Sequence, residues 1–229
     1  MRLGLICSSG GSVFAAGIEL LRTCGYSPSA FVVTDRFCGV ESECERLNIE
    51  WTRIEDSTCQ GFSRKAASWL IEGKKTNWIC LLFSRLVSSE LFDRTLCVNI
   101  HPSLLPAFSG FGAVSKARES NARFLGATAH FVDESIDSGF IIGQVIAPLS
   151  HKEPLSALER ISFAQKLYLF LVLWEMAEHR LLDRISKKNF QKSSLDLPMR
   201  CWANPALKDQ QLAMSFEMFI KNEGIKWDR

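Results

Sequence analysis

The sequence predicts an α/β fold: a mostly parallel central sheet with flanking helices and an antiparallel hairpin at its edge. Three observations predict it. Over the first hundred residues short apolar runs alternate with longer amphipathic stretches, the pattern of βαβ units with right-handed crossovers. One of those runs, Trp78 to Phe83, is apolar without a break, as in a strand covered on both faces. Past residue 125 the pattern changes to two strand-like runs, Ala127 to Val132 and Phe140 to Ile146, separated by a short acidic turn containing Gly139.

Taken in order, Leu3 to Cys7 is the first strand, and Val13 to Arg22 is the helix after a glycine-rich turn. Ala30 to Thr34 is the second strand, followed by a charged helix over Val40 to Leu47. Ile54 lies near a third short strand, and Phe62 to Gly73 has the spacing of a helix. Trp78 to Phe83 and Leu96 to His101 are the next two strands, and the edge pair follows them. Pro154 suits a first helical turn and opens a long helix reaching about Leu182, with Leu155, Leu158, Ile161, Phe163, Leu167 and Leu171 at helical spacing. The basic, polar stretch Arg184 to Ser194 is a linker, and Gln211 to Lys221 forms a small amphipathic helix ending before Gly224. The expected division is residues 1–183 as the main domain and 184–229 as a linker and small appendage on or beside it.

Composition narrows the class. At 229 residues with 47% apolar and 23% charged residues, the chain can bury a sizeable core. A net charge of +2 gives no footprint for nucleic acid or an acidic membrane. The eight cysteines contain no C-x-x-C pair, and Cys7, Cys80 and Cys97 lie within apolar runs. That usage fits a reduced compartment, where thiols pack as small hydrophobes, and argues against a structural metal. Ser8 to Ser12 interrupts the apolar start too early for a secretory signal, and Leu167 to Trp174 is far shorter than the ~20 residues of a membrane span. A cytoplasmic protein is expected, a monomer or homodimer, with no nucleic-acid or membrane partner.

Three places carry chemistry. The turn Ser8-Ser9-Gly10-Gly11-Ser12 joins the first strand to the first helix, where backbone N–H groups attract anions. It is neither a full G-x-G-x-x-G nor a P-loop, and a plain tight turn explains it equally. Asn99 and His101 stand two apart on a strand, so they share one face, and Pro102 and Pro106 stiffen the exit. The open end of parallel strands is where such sheets take ligands, although a packed histidine remains the alternative. Asp137 lies in Asp133-Glu134-Ser135-Ile136-Asp137-Ser138-Gly139, which is also readable as a solvated acidic turn. His130 on the preceding strand has a packing explanation, and Arg85, in the segment leaving the fourth strand, lines a pocket or lies on the surface.

Together, Asn99-Ile100-His101-Pro102-Ser103-Leu104-Leu105-Pro106, Gly126-Ala127-Thr128-Ala129-His130-Phe131-Val132, Ile136-Asp137-Ser138-Gly139 and Ile142-Gly143-Gln144 resemble the folate-dependent formyltransferase family. The closest pattern is that of the phosphoribosylglycinamide formyltransferases, in order and spacing over roughly residues 1 to 180. The resemblance implies a Rossmann-like sheet and 10-formyltetrahydrofolate as formyl donor and co-substrate. By position it implies Asn99, His101 and Asp137 as the catalytic trio. It places Arg85, Leu86 and Val87, with Asp133, Glu134, Ser135 and Ile136, around the pterin, and Gly11, Ser12, Val13 and Gln165 at the acceptor.

The implied reaction is attack of a neutral primary amine on the formyl carbon, without a metal or a covalent enzyme intermediate. Asn99 donates to the developing oxyanion, protonated His101 stabilises it, and Asp137 holds His101 and helps move the amine proton. The expected acceptor is glycinamide ribonucleotide, in purine synthesis. Three departures lie on that acceptor side: Val13 where the family has asparagine, Gln165 where it has glutamate, and Ala107 to Gly112 without its basic and histidine residues. They keep open another amine, such as a hydroxyornithine-like siderophore precursor or an amino sugar. A non-catalytic folate-binding protein is the further alternative. The hydrolases of the family carry an added N-terminal regulatory domain, whereas this sequence opens on its first strand.

Overall fold

Parallel strands fed by helices dominate the first part of the chain. The computed structural model describes residues 1–186 and 197–227, which divide into two compact units: residues 1–99 with 131–136, and residues 100–130 with 137–227.

In the first unit, β1 (Arg2–Cys7), β2 (Ser29–Thr34), β3 (Glu50–Arg53), β4 (Trp78–Leu82) and β5 (Leu96–His101) pair in the order β3-β2-β1-β4-β5, all parallel. The helices are α1 (Ser12–Thr23), α2 (Val40–Leu47), α3 (Cys59–Ala67) and the short α4 (Ser89–Phe92). The helix expected over Phe62 to Gly73 starts earlier, because Thr58 caps it by accepting from Gly61 N–H. It then continues over Ser68–Gly73 as a π-helical stretch. Side chains of β1, β2, β4 and α3 meet in a core that includes Ile6, Val33, Phe62, Leu70, Ile79 and Leu81. Phe83 stacks on Phe62 with ring centroids 5.1 Å apart, and Val87 and Val132 pack on the same core.

Strand order 3-2-1-4-5 reverses between β1 and β4, and loops leaving both strands at their C-terminal ends form the crevice where open parallel sheets bind ligands. Here those loops are tied together. Ser84 N–H donates to Ser8 Oγ at 2.9 Å, and the two hydroxyls lie 2.7 Å apart.

The second unit holds β6 (Phe124–Phe131), β7 (Ile141–Pro148) and β8 (Ala203–Asn204), paired antiparallel in the order β6-β7-β8. Between Ala129 and His130 the β6–β7 register shifts by one residue, leaving Ile142 as a bulge beside His130. Its helices are α5 (Ala113–Glu119), α6 (Leu155–Glu178), α7 (Leu181–Ser186) and α8 (Gln210–Asn222). The long helix expected from Pro154 to Leu182 is broken: Arg180 takes a left-handed conformation (φ 55°) after the exposed pair Glu178 and His179. His179 N–H and Arg180 N–H close the last turn on the Glu175 and Ala177 carbonyls, and α7 then begins with Leu182 buried. Along α6 every residue from Leu167 to Ala177 is buried, so the helix is enclosed on all sides rather than on one stripe.

Two side chains on α6 fix the segment leading into α8 through three hydrogen bonds. Tyr168 Oη accepts from Leu207 N–H at 2.9 Å, while the buried Glu175 carboxylate accepts from Lys208 and Asp209 N–H at 2.8 and 2.6 Å. Asp209 then caps α8 by accepting from Leu212 N–H at 3.0 Å. Tyr168 also packs edge-on against Trp202, Phe216 and Trp227. From residue 187 the expected linker lies outside the described residues.

Candidate active site

β5 carries Asn99, half-buried, and two positions later His101, 5% exposed. The chain then turns through Pro102 to Gly112 and wraps back on the imidazole. His101 Nε2 lies 2.9 Å from the Phe108 carbonyl oxygen, and Nδ1 lies 3.3 Å from Asp137 Oδ2. The imidazole is thus held between two oxygens, one at each ring nitrogen, an arrangement suited to an imidazolium.

Asp137 is the junction of the cluster. Its Oδ2 also accepts from Gly110 N–H at 2.8 Å, and its Oδ1 lies 3.6 Å from His130 Nε2. Asp137 adopts a left-handed backbone (φ 52°), which aspartate tolerates better than most residues. His130 is 2% exposed, brought to Asp137 from the end of β6. The acidic turn is therefore more than a solvated loop at this position. The loop Ala107 to Gly112, which lacks polar side chains beyond Ser109, contributes through its backbone: one carbonyl to His101 and one N–H to Asp137.

Behind this cluster lies a closed buried network. Thr128 Oγ1 donates to the Ser103 carbonyl at 2.7 Å, and accepts from Leu105 N–H at 3.0 Å and from Gln144 Nε2 at 3.1 Å. Gln144 Nε2 also donates to the Leu105 carbonyl. With Thr128 wholly buried, every hydrogen-bonding capacity of its hydroxyl is used. At Gly126 a Cβ would stand 2.5 Å from Leu104 and 2.6 Å from the Val145 carbonyl, so only glycine admits the Leu104 side chain there.

The remaining predicted residues fall in two places. In the first unit, Gly11 (φ 73°) begins α1, and a Cβ on it would sit 2.4 Å from Val40 Cγ2 and 2.9 Å from Val40 Cα. The turn thus lies directly against the start of α2, with Ser12 exposed and Val13 buried. Arg85 donates to Asp35 Oδ2 at 3.3 Å and to the Asp56 carbonyl at 3.0 Å, its guanidinium over the Phe62 ring. Burial pushes the Asp35 carboxyl up, but hydrogen bonds from Arg36 and Arg85 outweigh it and hold the acid below its ordinary range. Leu86 is exposed and Val87 half-buried. Asp133 to Ile136 form an Asx turn in which Ser135 N–H donates to Asp133 Oδ1, leaving Glu134 and Ile136 exposed.

Gln165, by contrast, is in the second unit and fully buried on α6. Its Nε2 donates to the Leu125 carbonyl at 3.0 Å, and among the described residues its Oε1 has no partner. The structure brings together His101 and Asp137 and adds His130, Phe108 O and Gly110 N–H. His130 carries a sequence signal, since it follows Thr128 by two on β6. The backbone groups carry none.

A model of the family described as formyl transferase matches residues 1–172. The phosphoribosylglycinamide formyltransferase of Bacillus subtilis is 43% identical over 169 residues, covering 69% of this chain and 85% of that protein. A trifunctional purine biosynthetic protein, adenosine-3, of Chironomus tentans is 32% identical over 176 residues, covering 72% of this chain. The chain spans only 13% of that longer relative. Among solved structures, glycinamide ribonucleotide transformylase 1 of Geobacillus kaustophilus aligns with a TM-score of 0.70 at 29% identity, covering 77% of this chain and 97% of that one.

Proposed function

Because the chain belongs to the formyl transferase family, we propose that it transfers a formyl group from 10-formyltetrahydrofolate to the primary amine of glycinamide ribonucleotide, in purine synthesis. The observation that carries the reading is the held pair: His101, with an oxygen at each ring nitrogen, against a carboxylate that also takes Gly110 N–H and stands beside His130.

In this reaction the amine attacks the formyl carbon and the carbonyl oxygen takes up negative charge. Asn99 supplies a hydrogen bond to that oxygen, and His101 supplies a fixed positive charge. Asp137 keeps the imidazolium charged and oriented and receives the proton released from the amine through water. The proton then passes to the departing nitrogen of the donor, so the N-formylated amine and tetrahydrofolate are the products. On the donor side, the exposed apolar Leu86 and Ile136 offer surface for a pterin ring, beside polar Arg85 and the Asp133 to Ser135 turn. On the acceptor side, the N–H groups of Gly11, Ser12 and Val13 at the start of α1 suit a phosphate. Residues 1–183 serve as the catalytic domain, with 184–229 as its appendage. The protein works in the cytoplasm as a monomer or homodimer; among the described residues no helix is long and apolar enough to cross a membrane.

One observation favours another amine. Gln165, at the family's acceptor-binding position, is fully buried and has given its amide to Leu125, which leaves less for ribose hydroxyls. The deciding experiment is a panel: the protein with 10-formyltetrahydrofolate and, in turn, glycinamide ribonucleotide, N-hydroxyornithine and amino sugars. Rapid tetrahydrofolate release with glycinamide ribonucleotide alone is the expected result. Turnover with a different amine only would move the acceptor. No release with any amine would leave a folate-binding protein.

A further inference from the structure

His101 is fixed at Nε2 by a backbone carbonyl, and a backbone carbonyl has to be aimed by something else. Phe108 is poorly suited to aim itself, because its φ of 55° puts it in the left-handed region, which is strained for a residue with a Cβ. Three contacts hold it there. Ala107 N–H donates to the Leu104 carbonyl at 2.9 Å, and the half-buried Phe108 ring packs on Ala117, Leu125, Leu149 and Leu158. The third is Ser103. It is 2% exposed, and its hydroxyl donates to the Ala107 carbonyl at 2.6 Å with the Phe108 carbonyl at 3.4 Å. One proton spans both oxygens, so the serine ties together the two successive peptides on either side of Phe108. Ser103 is anchored in turn by its own carbonyl, which accepts from Thr128.

We infer that Ser103 is a positioning residue for His101, acting through the Ala107 and Phe108 carbonyls to keep the latter on Nε2. The chain of contacts runs from Thr128 and Gln144 to Ser103, from Ser103 to the two carbonyls, and from Phe108 O to the imidazole. Without the hydroxyl, the strained Phe108 loses the restraint nearest its carbonyl, and the imidazole keeps only its Nδ1 contact with Asp137 as a fixed anchor. The catalytic half of this inference rests on the reading of His101 as the charged group of formyl transfer. Its structural half does not.

The test combines long-range ¹⁵N imidazole spectra with steady-state kinetics on the full chain. In wild type the His101 Nε2–H is expected as a slowly exchanging resonance. Ser103→Ala is expected to lose that resonance to solvent while its amide spectrum and Tm stay close to wild type. Its kcat should fall about tenfold with KM for donor and amine within twofold, and Ser103→Thr, which keeps the hydroxyl, should recover both signals. Should the alanine variant not fold, Ser103→Cys, with a weaker donor of similar volume, is read the same way. A resonance that survives in Ser103→Ala, or a kcat unchanged by it, overturns the inference. If wild type formylates no amine, the proposed function falls, and the resonance comparison still decides the role of Ser103.

Discussion

Asp137 serves three neighbours with one carboxylate: His101 and Gly110 N–H on one oxygen, His130 beside the other. An amide of the same shape cannot do this. Asparagine would replace one acceptor oxygen by a donor, facing either Gly110 N–H or His130, and would remove the charge that balances the imidazolium. Asp137→Asn should therefore lower kcat by about 10²–10³, the scale of losing one preorganised electrostatic contact. Far-UV circular dichroism should be unchanged and Tm within a few degrees. A kcat within a few-fold of wild type would remove Asp137 from the reaction. At this scale the sequence is legible where side chains do the work. The family resemblance carried by Asn99, His101 and Asp137 anticipates the contact between the last two. It is silent on Phe108 O and Gly110 N–H, because a loop of alanine, phenylalanine and glycine shows nothing of where its peptide groups will point.

Elements with strong periodicity were predictable nearly to the residue: β5 over Leu96–His101 and α2 over Val40–Leu47 match their expected limits. The short elements α4, α5 and β8 escape, since four to seven residues, or two in β8, are too few for a period to show. The break between α6 and α7 escapes for another reason. Nothing at Arg180 marks a left-handed residue, and neither glycine nor proline stands at the end of the helix. Gly11 is the opposite case, a position whose need is written into the chain. Its φ and its contact with Val40 both demand the missing Cβ. Gly11→Ala is expected to cost about 2–4 kcal/mol, strain plus overpacking, read as a lower urea midpoint with an unchanged m-value. A change below about 0.5 kcal/mol would show that α2 yields easily.

For the whole molecule, buried carboxylates tie stability to acid, and Glu41 is one of them. Glu41, 4% exposed, accepts from Arg53 Nε and Nη2 at 2.9 and 2.5 Å and from Thr34 Oγ1 at 2.8 Å. The Arg53 hydrogen bonds, opposed by burial and aided by Thr34, hold its pKa below the ordinary glutamate value. A folded-state value below the unfolded one means stability that is full above the unfolded value and is lost as pH falls through the folded one. Glu41→Gln should thus cost about 1–3 kcal/mol at pH 7 and flatten the loss of stability below about pH 4.3. Urea midpoints measured across pH check it, and parallel acid limbs in the two proteins would refute it. The thiols follow the same logic of burial: Cys44 is pushed up to about 12, chiefly by desolvation, and behaves as an apolar side chain. Glu175 shows what such burial commits the chain to. Its two donors, Lys208 and Asp209 N–H, come from beyond residue 200, while the acid stands on the enclosed helix α6. A protein trimmed before Leu207 would leave that carboxylate without these two donors and would strip Phe216 and Trp227 from Tyr168 on the same helix. The last helix is accordingly a component of the interior and not a dispensable tail.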